Sequence, residues 1–341
     1  MSEGRINAYS TAPLRRLTGI KIVATGSYAP DPVVTNADLQ ARLGFDASWV
    51  QQRTGIRERR QAPPEMATSD LAVRAAKRAI ERAGVTAADI DLVLVGTFTP
   101  DMPFPATACL VQDQLGIRGP AVDLQAACAG FMYALITGAQ YVSTGCSKLA
   151  LVIGADCNSR ILNPSDQRTY PLFGDGAGAV LLAKGDADQG LVSYTLGADG
   201  SGGPLLCRPM SGSRQPIEAR LLDEGLQYLQ MDGQSVFRWA VRVLDESIHD
   251  VLAASDMKPA DIDLAVLHQA NIRIIYAATD VLGIPRNRVM IDLDRYGNTS
   301  AGSIPLALDH AIDQGRIHAG DRLLLCGFGA GLAWGTAVWK W

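Results

Sequence analysis

Residues 87–95 read Ala-Ala-Asp-Ile-Asp-Leu-Val-Leu-Val, and residues 259–267 read Pro-Ala-Asp-Ile-Asp-Leu-Ala-Val-Leu. Each copy follows an amphipathic helix. The first carries Leu71, Ala75, Ala79 and Ala83 at helical spacing, with Thr68, Ser69 and Asp70 as start signals and Gly84 as the stop. The second places Val236, Ala240, Leu244, Ile248 and Leu252 on one face. The echo continues downstream, where Leu115-Gly116-Ile117 precedes Ala121-Val122-Asp123-Leu124 as Leu282-Gly283-Ile284 precedes Val289-Met290-Ile291-Asp292-Leu293. A small-residue stretch and an apolar helix follow in each, over 126–141 and 300–312, and residues 149–154 have a counterpart in 323–327. An offset of about 170 residues is too long for a solenoid repeat. Four echoes in one order indicate two related α/β halves packed together. Short Val/Leu/Ile runs alternating with helices predict mostly parallel strands buried on both faces, with a site at the interface of the halves.

Composition fits that reading. The chain has 341 residues, 48% hydrophobic and 19% charged, and a formal net charge of −4. Mild acidity without a Lys/Arg block argues against a nucleic-acid surface, and Arg57-Glu58-Arg59-Arg60 reads as a solvated face. No apolar run approaches the roughly 18 residues of a membrane span. The polar N-terminus lacks the apolar stretch of a secretory signal, so a cytoplasmic protein is expected. The six cysteines form no CxxC pair; no disulfide framework and no metal site are expected.

Cys128 lies in Ala126-Ala127-Cys128-Ala129-Gly130-Phe131, between a strand ending near Leu124 and a helix. A thiol at a helix N-terminus feels the positive end of the macrodipole, which predicts a lowered pKa. Backbone amides at the turn suit an oxyanion. In the other half the equivalent turn is Tyr296-Gly297-Asn298-Thr299-Ser300-Ala301-Gly302, so duplication brings two turns towards a common interface. Of four histidines, His249, His310 and His318 lie in charge-rich segments and are expected to be exposed. His268 instead ends the apolar run 264–267, at the strand rim where α/β proteins place their sites. Imidazole Nε2–H and a carboxamide NH2 both donate well to a thioester oxygen that becomes negative. A protease-like Cys–His–Asn arrangement remains open at this point, although a duplicated α/β architecture does not suit it. The glycine-rich runs at 174–178 and 327–331 are not GxGxxG motifs opening a helix, and read as turns bringing backbone close to a ligand.

On these residues the chain resembles the β-ketoacyl-acyl-carrier-protein synthase III family, from about residue 18 to the C-terminus. The resemblance rests on Thr25-Gly26-Ser27-Tyr28, Arg53-Thr54-Gly55-Ile56-Arg57-Glu58-Arg59, the Cys128 segment, Phe173-Gly174-Asp175-Gly176-Ala177-Gly178, His268-Gln269-Ala270-Asn271 and Tyr296-Gly297-Asn298-Thr299-Ser300. It implies an α/β thiolase-like fold in a layered αβαβα arrangement. The segments would be an extension at 1–17, a first half at 18–190 carrying Cys128 and a second half at 191–341 carrying His268 and Asn298. It implies a decarboxylative Claisen condensation: acyl-CoA acylates Cys128, and malonyl-acyl-carrier protein is decarboxylated against His268 and Asn298 and attacks the acyl group. The backbone N–H groups of Cys128 and Ala330 would form the oxyanion hole.

The resemblance further assigns CoA and pantetheine contacts to Trp49, Arg53, Phe237, Asn271 and Arg273, and carrier docking to Arg238 and Arg273. Phe104 would close the acyl pocket of a partner subunit in a homodimer, with Leu162 and Leu206 also near that pocket. No cofactor is implied, since the CoA thioester is a substrate, and neither a nucleic acid nor a membrane is an expected partner. Three departures bear on donor and carrier preference: Gln167 followed by Arg168 where an Arg often faces Trp49, Asp280 where a Lys is common, and Ala330 for a usual Gly. Two other readings remain: an acyltransferase or specialised-metabolite synthase using a non-malonyl acceptor, and a catalytically silent partner subunit.

Overall fold

The computed structural model describes residues 15–341, so most of the expected 1–17 extension lies outside the described residues. The strands are β1 Arg15–Thr18, β2 Ile20–Tyr28, β3 Val33–Thr35, β4 Glu58–Arg60, β5 Leu92–Gly96, β6 Ala121–Leu124, β7 Leu149–Asp156, β8 Gly176–Lys184, β9 Gly190–Ala198, β10 Leu206–Cys207, β11 Gln230–Met231, β12 Leu264–Leu267, β13 Arg322–Gly329 and β14 Ala333–Lys340. The α-helices are α1 Asn36–Leu43, α2 Ala47–Thr54, α3 Thr68–Ala83, α4 Thr107–Leu115, α5 Gly130–Thr144, α6 Ala219–Leu222, α7 Gly233–Ala254, α8 Ile272–Val281, α9 Leu293–Tyr296 and α10 Ser303–Asp313.

Two five-stranded sheets carry the fold, ordered β2-β8-β7-β5-β6 and β1-β9-β14-β13-β12. Apart from the added edge strand β1, the second order repeats the first, and a bridge from Ala265 to Val289 marks where β6 has its counterpart. The register repeats as well: Leu92 pairs with Ala150 as Leu264 pairs with Leu323, both in parallel. The expectation of mostly parallel strands is corrected, because β2–β8, β7–β8, β13–β14, β14–β9 and β1–β9 are antiparallel. Parallel pairing needs a crossover helix. No α-helix lies between β7 and β8, or between β13 and β14.

Burial sorts the helices into layers. α5 and α10 are apolar around most of their circumference, as a helix between two sheets must be. α5 packs on β5 and β7 on one side and on β13 and β14 on the other. α3 and α7 carry single apolar stripes and cover the outer faces, α3 against β2 and β8 and α7 against β14 and β9. The result is the layered αβαβα arrangement. Close approach of α3 to the first sheet depends on Gly26, where a Cβ would lie 2.4 Å from the Ala75 carbonyl oxygen.

The basic cluster at 57–60 is not a uniform solvated face. Arg59 is fully buried on the inward side of β4 and donates to Val34 O at 2.9 Å, Asn36 Oδ1 at 2.7 Å and Pro171 O at 2.7 Å. These acceptors replace water around the guanidinium, and burial still lowers its pKa to about 10. Among the described residues no helix is long and apolar enough to cross a membrane.

Candidate active site

Each half turns from a sheet into a buried helix through one short 3-10 turn, Ala127–Ala129 before α5 and Ser300–Gly302 before α10. The first residue of each turn is a non-glycine residue in the left-handed region, Ala127 at φ 45° and Ser300 at φ 53°. Such backbone costs on the order of 1–3 kcal/mol and persists where the surroundings enforce it. Cys128 follows Ala127 and Ala301 follows Ser300, so the two residues are equivalent across the duplication. By the same correspondence, His268 takes the place of Gly96 and Asn298 that of Gln125.

Cys128, His268 and Asn298 line one cavity of about 880 Å³, together with Trp49, Arg53, Phe237, Arg238, Asn271 and Arg273. A second cavity, of about 970 Å³, runs from Cys128 past Ala330 to Leu206, Met210 and Ile217. Cys128, Phe173 and Leu206 line both, which puts the thiol at the junction. Gly329 lets the end of β13 lie directly on the nucleophile turn, since a Cβ there would fall 2.8 Å from both N and Cβ of Cys128. Phe104 is 83% exposed and does not line the larger cavity of its own chain; Leu162 is buried in the core and does not line it either.

The thiol does not follow the expectation from the helix N-terminus. Cys128 is buried, and burial pushes its pKa up to about 12, against a downward pull from a hydrogen bond with Ser300. Negative charge on Asp156 pushes the same way as burial. Loss of water around the thiolate is the largest influence on it. His268 follows the same logic with the opposite sign: burial lowers its pKa to about 3, so its imidazole is neutral at working pH. Its Nδ1 lies 2.7 Å from Ser303 Oγ, and Phe328 packs edge-on with ring centroids 5.1 Å apart.

Asn298 is held by its backbone and one end of its side chain. Its N–H donates to Leu172 O at 2.9 Å, its C=O accepts from Gly174 N at 3.0 Å, and Oδ1 accepts from Ser300 N at 2.8 Å. With the carboxamide oxygen engaged, the NH2 end is the donor left to serve the cavity. The glycines of the 174–178 run let this loop dock. A Cβ at Gly174 would lie 2.1 Å from the Tyr296 carbonyl oxygen, and one at Gly178 would lie 2.5 Å from Leu306 N. Their backbone approaches protein, not a ligand as expected from the sequence.

The remaining predicted contacts ring the same cavity mouth. Asn271 caps α8 through the Arg273 N–H at 2.8 Å, and the Arg273 guanidinium sits 5.9 Å from the Phe237 ring centroid. Arg168 lines the cavity, while Gln167 turns away to donate to Leu43 O at 2.6 Å. Asp280 is paired with Arg286 at 3.0 Å.

Sequence reasoning missed three residues here: Ser303, Phe328 and Asp156. The last is fully buried and carries a pKa raised to about 6, chiefly by burial. It also misplaced His310, which is largely buried, 3.1 Å from Asp292 Oδ2, and not exposed. Its ring packs beside that of Tyr296, with centroids 5.1 Å apart.

A buried thiol at the N-terminus of a central helix, faced by a neutral imidazole and a carboxamide from the other half, defines a thiolase-fold enzyme acting on acyl thioesters. Residues 122–200 match the family described as 3-oxoacyl-[acyl-carrier-protein (ACP)] synthase III, and residues 252–341 match its C-terminal part. A β-ketoacyl-[acyl-carrier-protein] synthase III of Rhodopirellula baltica is 53% identical over 95% of this chain and 99% of its own length. The crystal structure of a synthase III from Thermus thermophilus superposes with a TM-score of 0.88 at 42% identity, covering 94% of this chain and 98% of that one. The priming β-ketosynthase of the R1128 polyketide pathway does so with a TM-score of 0.87 at 33% identity, covering 97% and 98%. The chain belongs to the β-ketoacyl-acyl-carrier-protein synthase III family.

Proposed function

We propose that the enzyme condenses an acyl-CoA starter with malonyl-acyl-carrier protein, by way of an acyl-Cys128 intermediate. The observation that carries this is the placement of Cys128 at the junction of two cavities, one of them shared with His268 and Asn298. The cavity rimmed by Trp49, Arg53, Phe237, Asn271 and Arg273 takes the CoA and pantetheine arm. Arginine forks suit the phosphates there, and Trp49, half exposed, offers a ring for the adenine. Arg238 and Arg273 receive the carrier protein at the same mouth. The cavity running past Leu206 takes the acyl chain.

In the first half-reaction the Cys128 sulfur attacks the thioester carbonyl. The amides of Cys128 and Ala330 hold the oxyanion, and the thiol proton leaves with the departing CoA sulfur. In the second, malonyl-carrier protein loses CO2. His268 and Asn298 donate to the enolate oxygen, and the carbanion attacks the acyl-cysteine to give 3-oxoacyl-carrier protein and the Cys128 thiolate, which takes up one proton from water to regain the thiol. Preorganised donors of this kind, aimed at an oxygen that becomes negative, commonly account for more of the rate enhancement in acyl transfer than any other single effect. No cofactor takes part in this scheme.

The same reading places the enzyme in the cytoplasm as a homodimer. Phe104 is exposed and does not line the cavity of its own chain, and the outer edge strand β6 is incompletely buried. Phe104 then closes the acyl cavity of a second copy.

Intact-protein mass spectrometry after incubation with a panel of acyl-CoAs tests the scheme. An adduct should form on the native chain, be lost in Cys128→Ala, and discharge to a 3-oxoacyl product when malonyl-carrier protein is added. An adduct that malonyl-carrier protein does not discharge would overturn the condensing step.

A further inference from the structure

We propose that Ser303 is a positioning residue that fixes the tautomer of His268, placing the imidazole proton on Nε2 and making the ring a hydrogen-bond donor during condensation. This rests on the condensing reading of the site.

The geometry is local and buried. His268 stands just past the carboxyl end of β12, and Ser303 is the first residue of α10; neither is more than 1% exposed. Ser303 Oγ lies 2.7 Å from His268 Nδ1 and also takes a longer bond from the Gln269 N–H, at 3.4 Å. A hydroxyl has one proton and two lone pairs. With one lone pair turned to the Gln269 amide, its proton needs an acceptor. Among the described residues, His268 Nδ1 is the acceptor within reach. The hydroxyl therefore donates to Nδ1, the ring proton sits on Nε2, and Nε2–H is the group presented to the cavity. The opposite tautomer would leave the proton of a buried hydroxyl without a partner among the described residues, an arrangement that buried polar groups rarely adopt.

Comparison of the two halves supports the assignment independently. The positions equivalent to His268 and Ser303 are Gly96 and Gly130. These two glycines are in backbone contact, since a Cβ on Gly96 would fall 2.6 Å from the Gly130 carbonyl carbon. The duplicated fold thus juxtaposes this pair of positions in both halves. In one it fills them with glycine, and in the other with an imidazole and a hydroxyl at bonding distance. Phe328, edge-on to the ring, limits its rotation, so hydrogen bonding at Nδ1 decides which edge faces substrate.

The direct test is the ¹⁵N spectrum of the full-length chain labelled at histidine, with His268 assigned by its loss in His268→Gln. The native protein should show an unprotonated Nδ1 and a protonated Nε2; a protonated Nδ1 would overturn the proposal. In Ser303→Ala, a protonated-Nδ1 population should appear. Condensation should fall on the order of tenfold to a hundredfold, less than the 10²–10³ expected from losing an oxyanion donor outright. Acylation of Cys128 should stay within about twofold, a split that a merely structural defect would not give. Ser303→Thr, which keeps the hydroxyl, should restore both the spectrum and the rate. An alanine variant with native spectrum and native condensation sinks the proposal. Failure of the native chain to condense any malonyl thioester would instead sink the underlying reading, and the ¹⁵N spectrum would still decide the tautomer.

Discussion

Asp156 Oδ2 accepts the Ala301 N–H at 3.0 Å, at the turn that corresponds to the one carrying Cys128 in the other half. The amide assigned to the oxyanion of a thioester in one half is therefore occupied by a protein carboxylate in the other. Oδ1 of the same carboxylate takes Thr97 Oγ1 at 2.9 Å, Thr99 Oγ1 at 2.8 Å and Phe98 N at 3.0 Å. Only one of the two duplicated turns is left available for chemistry, and the asymmetry is built from a single buried acid.

That acid has a pH signature. Burial raises its pKa from 3.8 to about 6, so the folded state holds its proton more tightly than the unfolded chain. The stability it contributes is fully present below about 3.8 and is lost as pH rises through about 6. The advantage of the native chain over Asp156→Ala should shrink by about 2 kcal/mol between about pH 4.5 and pH 7.5. Urea midpoints of both proteins across that range measure it, and a constant difference would contradict the assignment.

The resting thiol offers a second test. With the Cys128 thiol pushed up to about 12 by burial, its alkylation by iodoacetamide should climb with pH beyond 9 without a plateau. A plateau near neutrality would mean that the helix N-terminus prevails over burial, as the sequence alone suggested. Peptide mapping of Cys128 separates it from the exposed Cys109 and Cys146.

These cases show what the sequence can carry. The repeat of Asp-Ile-Asp-Leu and its neighbours made the two halves legible, because buried strands and their helices keep a period that survives divergence. The pairing directions were less legible, since hydrophobic runs look alike whether the next strand returns directly or through a helix. Cys128, His268 and Asn298 stand out as candidates through turn chemistry and a family resemblance, and the structure brings them to one cavity. Their ionisation was not legible, because a pKa depends on water excluded by residues distant in sequence: Asp156 and Ser300 adjust Cys128 from 28 and 172 positions away. Arg59 and His310 were misread for the same reason, as their partners Pro171 and Asp292 come from other elements.

The two donors should separate the half-reactions. Asn298→Ala and His268→Ala are expected to leave acylation of Cys128 largely intact and to lower condensation on the order of 10²–10³-fold. Because burial holds His268 near a pKa of about 3, the condensation rate should show no histidine inflection between about pH 5 and 8. Single-turnover acylation and steady-state condensation, each measured across that range, check both statements. Full condensation by Asn298→Ala would remove that residue from the scheme.

Arg273 tests the mouth of the cavity apart from the chemistry. Its guanidinium sits over the Phe237 ring, and it lines the same cavity as Trp49 and Arg53. Arg273→Ala should raise KM for the CoA donor by about tenfold, the scale of one charge-assisted contact, with kcat little changed. Initial rates at varied acyl-CoA give the split, and a fall in kcat at unchanged KM would place Arg273 in the chemical step.

Gly329 makes the sharpest steric case. Its missing side chain is what allows the end of β13 to lie against the nucleophile turn, with Cys128 N and Cβ both 2.8 Å from where a Cβ would stand. The neighbours are backbone and the first side-chain atom, and neither can swing aside as a flexible tip would. Gly329→Ala must therefore push apart the two strands of structure that carry the Cys128 and Ala330 amides. Overpacking of this kind costs about 1–3 kcal/mol, which a fold of this size should tolerate. Spreading an oxyanion hole by a few tenths of an ångström should cost acylation more than tenfold, since those donors act only at close range. A folded Gly329→Ala protein that acylates at the native rate would show that these two amides do not form the hole.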